Sequence, residues 1–348
     1  ASNTTASNNT AVGFNAGLSN TTGDATTAIG TKALRGNTTG RFNSALGYES
    51  LYSNTTGTYN VAVGSAALTS NTTGNTNTAS GYRALLTNTT GFENTASGAN
   101  SLKLNTTGLY NSSFGSGSLL SNTTGSQNTA VGRYALLSNT TASNNTAVGY
   151  QALNDCTVGT SNIGFGYDAG GSITDGDDNI CIGYAAGSYQ ADLTTGGQNT
   201  LVGNYIIIGA ADAAYANAFG YNLTAAAGYT TLGKGSTDIR AEHGVATWAT
   251  VSDERYKKDI VNSTAGLSFI NALQPRTFKY KTLGELPETF TAYKADSTEV
   301  FKNSNTNHGF IAQEVKAAID ADSSLKDGFR LWDDRDDGSQ EVAEAALI

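Results

Sequence analysis

An Asn-Thr-Thr-Gly tetrad, or a close variant of it, returns every 17 residues from Asn3 to Asn139 without a slip. So short a fixed period leaves few folds open. One unit cannot bury its own apolar side, so successive units must stack and share a core. Seventeen residues are too few for a helix pair, and the density of Gly and Thr works against helix. The remaining answer is a coil of short strands and turns, repeated along a rod.

Numbering each coil from its first Asn exposes the pattern. Position 9 is Ala from Ala11 to Ala147, with Ser113 as the one exception. Position 11 is Gly from Gly13 to Gly149, and position 15 is Leu from Leu34 to Leu153, with Gly17 in the first coil. The stretch N-T-A-V-G alternates in size and polarity as a short strand does. The Asn-Thr-Thr-Gly tetrad has turn chemistry, because Asn tolerates unusual backbone angles and Gly supplies positive φ. Each coil is therefore expected to hold two short strands and two turns, with an Ala row and a Leu row inside. Gly166 and Gly183 keep the period, and Gly203, Gly220 and Gly233 follow at steps of 20, 17 and 13. At strand spacing, about 14 coils make a rod of roughly 65 Å.

The expected fold is mainly β, a parallel β-solenoid over residues 1–235, with a neck at 236–251 and a small α+β domain at 252–348. The last boundary rests on charge. Residues 1–250 hold 20 charged side chains, and the 98 residues that follow hold 29. Both Pro and both Trp lie at or beyond residue 248. Such a shift marks a domain boundary. The net charge of −9 argues against nucleic acid as a partner. No apolar run suits a membrane span or a signal peptide. The chain begins at Ala1 without an initiator Met, which reads as a fragment or a processed chain.

One coil buries little apolar area for so many ordered residues. Association is expected to add the missing burial. The repeat resembles the head repeats of trimeric autotransporter adhesins, with their N-[ST]-x-A-[IVL]-G phrase, although those have a shorter period. That resemblance implies a left-handed parallel β-roll in a homotrimer.

Three phrases follow the neck: SDERYKKDI from Ser252, LSFINALQPRTFKYK from Leu267, and HGFIAQEV from His308. In this order they resemble the intramolecular chaperone domain of endosialidases, which ends many phage tail fibres and tailspikes. The resemblance implies assisted trimer folding of the preceding fibre, followed by self-cleavage at Val251–Ser252. It assigns Ser252 as nucleophile and Lys257 as general base, with Arg255, His308, Gln313 and Glu314 as accessory candidates. An ordinary lysine titrates near 10.4, so Lys257 needs desolvation or nearby cations such as Arg255 and Lys258 to act as a base. On one helix, residues five apart are turned by about 140°. The pair therefore closes only if Ser252 precedes the helix or Lys257 comes from another subunit. Read from residues alone, Ser252 also suits a helix N-cap. A helix is expected over GFIAQEVKAAI, with Ile311, Val315 and Ile319 on its apolar face. The family continues into a long C-terminal helix, and this chain stops at EVAEAALI, where that helix should begin.

Other features carry weaker expectations. Phe14, Tyr48, Tyr82, Tyr150, Tyr167, Tyr184 and Tyr221 share position 12. An aromatic row along a rod suits either glycan contact or packing between coils. The repeated N-x-T sequons read as glycan acceptors or, more simply, as Asn side chains bonded along the stack. Cys156 and Cys181 occupy different coil positions, which argues against a disulfide, and neither has a metal-ligand partner at useful spacing. Asp175, Asp177 and Asp178 form an acidic turn whose calcium-loop pattern is incomplete. No cofactor and no metal are expected. The leading functional expectation is a homotrimeric viral tail fibre or spike that meets a host-surface receptor, a glycan, and other tail proteins. The alternatives are a bacterial surface adhesin or filament with the same chaperone, and a glycan-degrading spike.

Overall fold

The computed structural model describes residues 3–235, 237–244, 249–250, 267–290, 292–301, 304–321, 332–334 and 340–342. The chain divides into two compact units, residues 1–251 and 252–348.

The first unit is a parallel β-solenoid. Its strands run from Thr10–Val12 to Tyr229–Lys234, and each pairs in parallel with the next at equivalent coil positions. Register is strict: Ala45 lies opposite Ala62, and Ala62 opposite Ala79. Fourteen such strands at strand spacing span about 60 Å. The step of 20 residues is absorbed by a loop at Ser188–Asp192, after which Leu193 N–H returns to the Gly187 carbonyl at 3.1 Å. The strands on either side still pair, Cys181 against Leu201. At the far end, Thr237–Glu242 turns back antiparallel on Tyr229–Lys234, and Ala249–Thr250 pairs antiparallel beyond it.

Most coils hold one three-residue strand, not the two expected. Among the described residues, a second strand forms only at Ile207–Ile208 and Thr224–Ala225. Elsewhere, positions 6, 13 and 15 take positive φ, as in Phe42 at 56°, Glu49 at 52° and Leu51 at 49°. These left-handed residues break the extended run without breaking the stack. Leu51 N–H still donates to Ala67 O at 3.0 Å, and Thr55 N–H to Thr72 O at 2.9 Å. The position-11 glycines have φ between 124° and 150°. A Cβ on Gly47 would also sit 2.5 Å from the next coil's carbonyl oxygen, so this position admits only glycine.

The core is narrow. From the second coil onward the position-9 row is buried, and so is the position-15 row as far as Gly187, along with most of the small residues at position 14, such as Ala67 and Ala84. Beside them lie two buried asparagine ladders. At position 1, Asn54 Nδ2 donates to Asn37 Oδ1 at 2.8 Å and to Gly57 O at 3.0 Å. At position 7, Asn60 N–H donates to Asn43 Oδ1 at 2.9 Å, and its Nδ2 donates to Gly74 O at 2.8 Å. A third, hydroxyl ladder runs alongside, with Thr38 Oγ1 donating to Thr55 O at 3.0 Å. Buried amides are tolerable here because each, Asn139 Oδ1 at the end of the position-1 ladder excepted, is met by neighbouring coils. From Asn20 onward the position-1 sequons are therefore interior, and their side-chain nitrogens are engaged.

The second unit holds a helix α1 (Leu267–Ala272), a strand pair Arg276–Phe278 with Asn307–Gly309, and a helix α2 (Ala312–Asp320). Phe269, Val315, Ala318 and Ile319 form its small core. Val315 and Ile319 face inward as expected, whereas Ile311 is the N-cap of α2. Gln340–Val342 pairs antiparallel with Trp332–Asp334, so the first residues of the EVAEAALI tail are strand.

Candidate functional site

Val251, Ser252, Arg255 and Lys257 lie outside the described residues. The remaining candidates of the second unit sit on two neighbouring elements. His308 is the middle residue of Asn307–Gly309 and pairs across the ladder with Thr277. Its Nδ1 lies 3.3 Å from Thr277 Oγ1, and the ring is exposed. Glu314 stands in the first turn of α2, where a carboxylate is favoured by the helix dipole. Arg276 grips it with both arms: Nε donates to Oε2 at 2.8 Å and Nη2 to Oε1 at 2.8 Å. This bidentate pair holds the Glu314 carboxyl below its ordinary range and raises Arg276. Glu314 thus joins α2 to the strand that carries Thr277. Gln313, one residue earlier, is exposed. Arg276 was not among the expected residues. It lies 38 residues from Glu314, and no local pattern announces the pairing.

The aromatic column behaves differently along its length. Phe14 is 70% exposed, and Tyr48 and Tyr82 about half exposed, with small residues in the coils between them. Lys32 Nζ lies 5.8 Å from the Tyr48 ring centre, and the Arg83 guanidinium 4.8 Å from that of Tyr82. Farther on, Tyr150 and Tyr167 stack at 5.3 Å, and Tyr167 and Tyr184 at 4.8 Å. Tyr184 leans on Tyr205 at 5.1 Å, which meets Tyr221 edge-on at 5.8 Å. Tyr167 therefore has a ring on each face, leaving its edge and hydroxyl to solvent.

Asp177 accepts from Thr160 N–H at 2.6 Å and from Thr160 Oγ1 at 2.8 Å, which ties the acidic turn to the previous coil. Asp175 lies 3.3 Å from Thr157 Oγ1. Among the described residues, no group of three or more His, Cys, Asp or Glu is arranged to hold a metal ion. Cys156 and Cys181 are both free and buried, and burial pushes each thiol up to about 12. Neither is therefore a nucleophile at neutral pH.

Comparison with known families decides what the second unit is similar to. Residues 252–323 match the family described as the chaperone of endosialidase. The matched segment begins at Ser252, the first residue of the second compact unit, and includes His308, Gln313, Glu314 and Arg276. No curated protein and no solved structure matches the chain. Among the described residues, no helix is long and apolar enough to cross a membrane.

Proposed function

We propose that this chain is part of a trimeric fibre or spike whose C-terminal unit guides folding of the β-solenoid shaft and then cuts itself away at Val251–Ser252. One coincidence carries this reading. The chaperone match and the second compact unit begin at the same residue, Ser252. A processing bond belongs at such a joint, where cleavage separates two units without breaking either core.

The chemistry fits the residues at the joint. Neutral Lys257 takes the Ser252 hydroxyl proton, and Oγ adds to the Val251 carbonyl carbon. The carbon–nitrogen bond breaks, the Ser252 nitrogen takes up the proton, and Val251 is left as an ester on Ser252 Oγ. Water then hydrolyses the ester, giving a Val251 carboxylate and a free Ser252 amine. Arg255 and Lys258 are close in sequence, and cations beside Lys257 would favour its neutral form. Wild type is expected to yield two fragments on a denaturing gel, with hydroxylamine speeding the cut by capturing the ester. Ser252→Ala and Lys257→Ala are each expected to leave one intact band. Normal cleavage in both variants would falsify the dyad.

A viral tail is the proposed setting, with a bacterial surface filament as the rival. Tail-assembly genes beside this one support the first; their absence, with secretion genes in their place, supports the second.

A further inference from the structure

Among the described residues of the first unit, nothing packs on the outward face of the strand stack. In each strand, the middle residue points into the core, and its two neighbours, positions 8 and 10, point out. Nine position-10 side chains are large hydrophobics between 37% and 58% exposed, from Val12 through Leu46 and Phe165 to Phe219. Val61 and Ile163 add exposed aliphatic surface at position 8. None of the parallel strands carries a charged residue at positions 8 to 10, although charges occur at several other coil positions, among them 5, 6 and 13. A sheet face left to water is ordinarily polar. Absence of charge around a line of large apolar side chains is the composition of an interface centre.

The summed area is also large for a free surface. At about 80 Å² each, the nine large position-10 residues together expose roughly 700 Å², in a line that Ser80 and Ser97 interrupt once. The largest apolar patch on a typical monomer is about 300–600 Å². A stable interface needs about 800 Å² from each partner. The threonine methyls at position 8 bring this face to that size.

We infer that this strand face, positions 8 and 10 of every coil, is the seam along which copies of the shaft pack against each other, parallel and in register. The inference deepens the trimer reading above by naming the surface that makes it. The parallel sense follows from one interruption in the stripe. Ser80 and Ser97 occupy position 10 in the fifth and sixth strands. In a parallel, in-register assembly each serine faces its own counterpart, and the polar gap closes on itself. In a fully overlapped antiparallel arrangement of fourteen coils they would face Phe165 and Val148 instead. A buried hydroxyl against an apolar ring loses its water without gaining a partner.

Cysteine cross-linking of the full chain tests this. Leu46→Cys places a thiol on the seam in the third coil, and Thr39→Cys places one on another exposed corner of the same coil. The native thiols are buried and do not compete. With a short bismaleimide, Leu46→Cys is expected to give covalent multimers in at least tenfold excess over Thr39→Cys. An antiparallel assembly would place the third coil opposite the twelfth and give no Leu46 self-link. If the protein sediments as a trimer but Leu46→Cys fails to link, the seam is wrong and the trimer stands. Sedimentation as a monomer overturns both.

Discussion

At the scale of single residues, the shaft is governed by one trade. Eight leucines, Leu34 to Leu153, sit at φ between 47° and 51°, a region that costs an ordinary side chain about 1–2 kcal/mol. Each is fully buried, which returns about 1.5–3 kcal/mol. Where the slot holds Gly170 or Gly187 the strain disappears, and the lost volume is supplied from elsewhere. Ile173 and Cys181 approach the space above Gly170, and Leu201 and Cys181 the space above Gly187. Ile173 and Leu193 also replace asparagine at position 1, so that ladder ends as the apolar residues arrive. Its last members show the join: Cys156 Sγ donates to Gly159 O at 3.2 Å, and Asn139 Oδ1 is left without a partner. The two thiols give this region a pH dependence. Their folded values, about 12, lie above the ordinary 9.0, so their contribution is complete below pH 9 and is lost as pH rises toward 12. The melting temperature of wild type is expected to fall more steeply over that range than that of Cys156→Ser/Cys181→Ala. Parallel curves for the two proteins would show that the thiols do not couple to folding. None of this trade was legible in the sequence. A Leu row announces a core, but the left-handed backbone beneath it is set by closure of the coil, which no local pattern encodes.

At the scale of the element, the unit is the coil, and much of it was legible. The period, the inward Ala, the obligatory Gly and the Leu row are all present as read. The second strand is not, because left-handed residues at positions 6, 13 and 15 interrupt extension while hydrogen bonds between coils continue around the turn. The position-7 asparagine ladder also escaped notice. Asn before a strand looks like a turn residue until the carbonyl of the next coil is seen to receive it. Because every coil contacts only its neighbours, length should be adjustable in whole units. Deleting residues 71–87 joins Ser70 to Asn88 and keeps every ladder in register. Deleting residues 71–86 removes one residue fewer and moves each following side chain to the wrong position. The first variant is expected to melt cooperatively within a few degrees of wild type, and the second to lose its transition. Equal behaviour in circular dichroism melts would mean that register is not what holds the stack.

At the scale of the whole molecule, the two units differ in how they are held. The shaft relies on repeated hydrogen-bond ladders around a thin core. Among its described residues, the second unit relies on a few apolar side chains and on long-range pairs such as Arg276 with Glu314. Its α2 was legible from the spacing of Val315 and Ile319, while the grip on Glu314 was not. A shaft with an uncovered apolar stripe is exposed to misassembly while it folds, since such surfaces drive aggregation. That hazard is a physical reason for a chaperone in the same chain. Residues 1–251 produced without residues 252–348 are expected to appear as aggregate or as dispersed monomer. The full chain is expected to give a discrete multimer in light scattering. A truncated shaft that assembles equally well would leave the second unit without the proposed role.

The antiparallel return of Thr237–Glu242 has a consequence for growth. A parallel stack copies itself wherever it offers a full-length edge to another chain. Here the sequence of coils is reversed by a hairpin, and the last strand beyond it among the described residues of this unit, Ala249–Thr250, is two residues long. That end offers almost no template. A protein built from the grammar of an endless filament thus carries its own full stop.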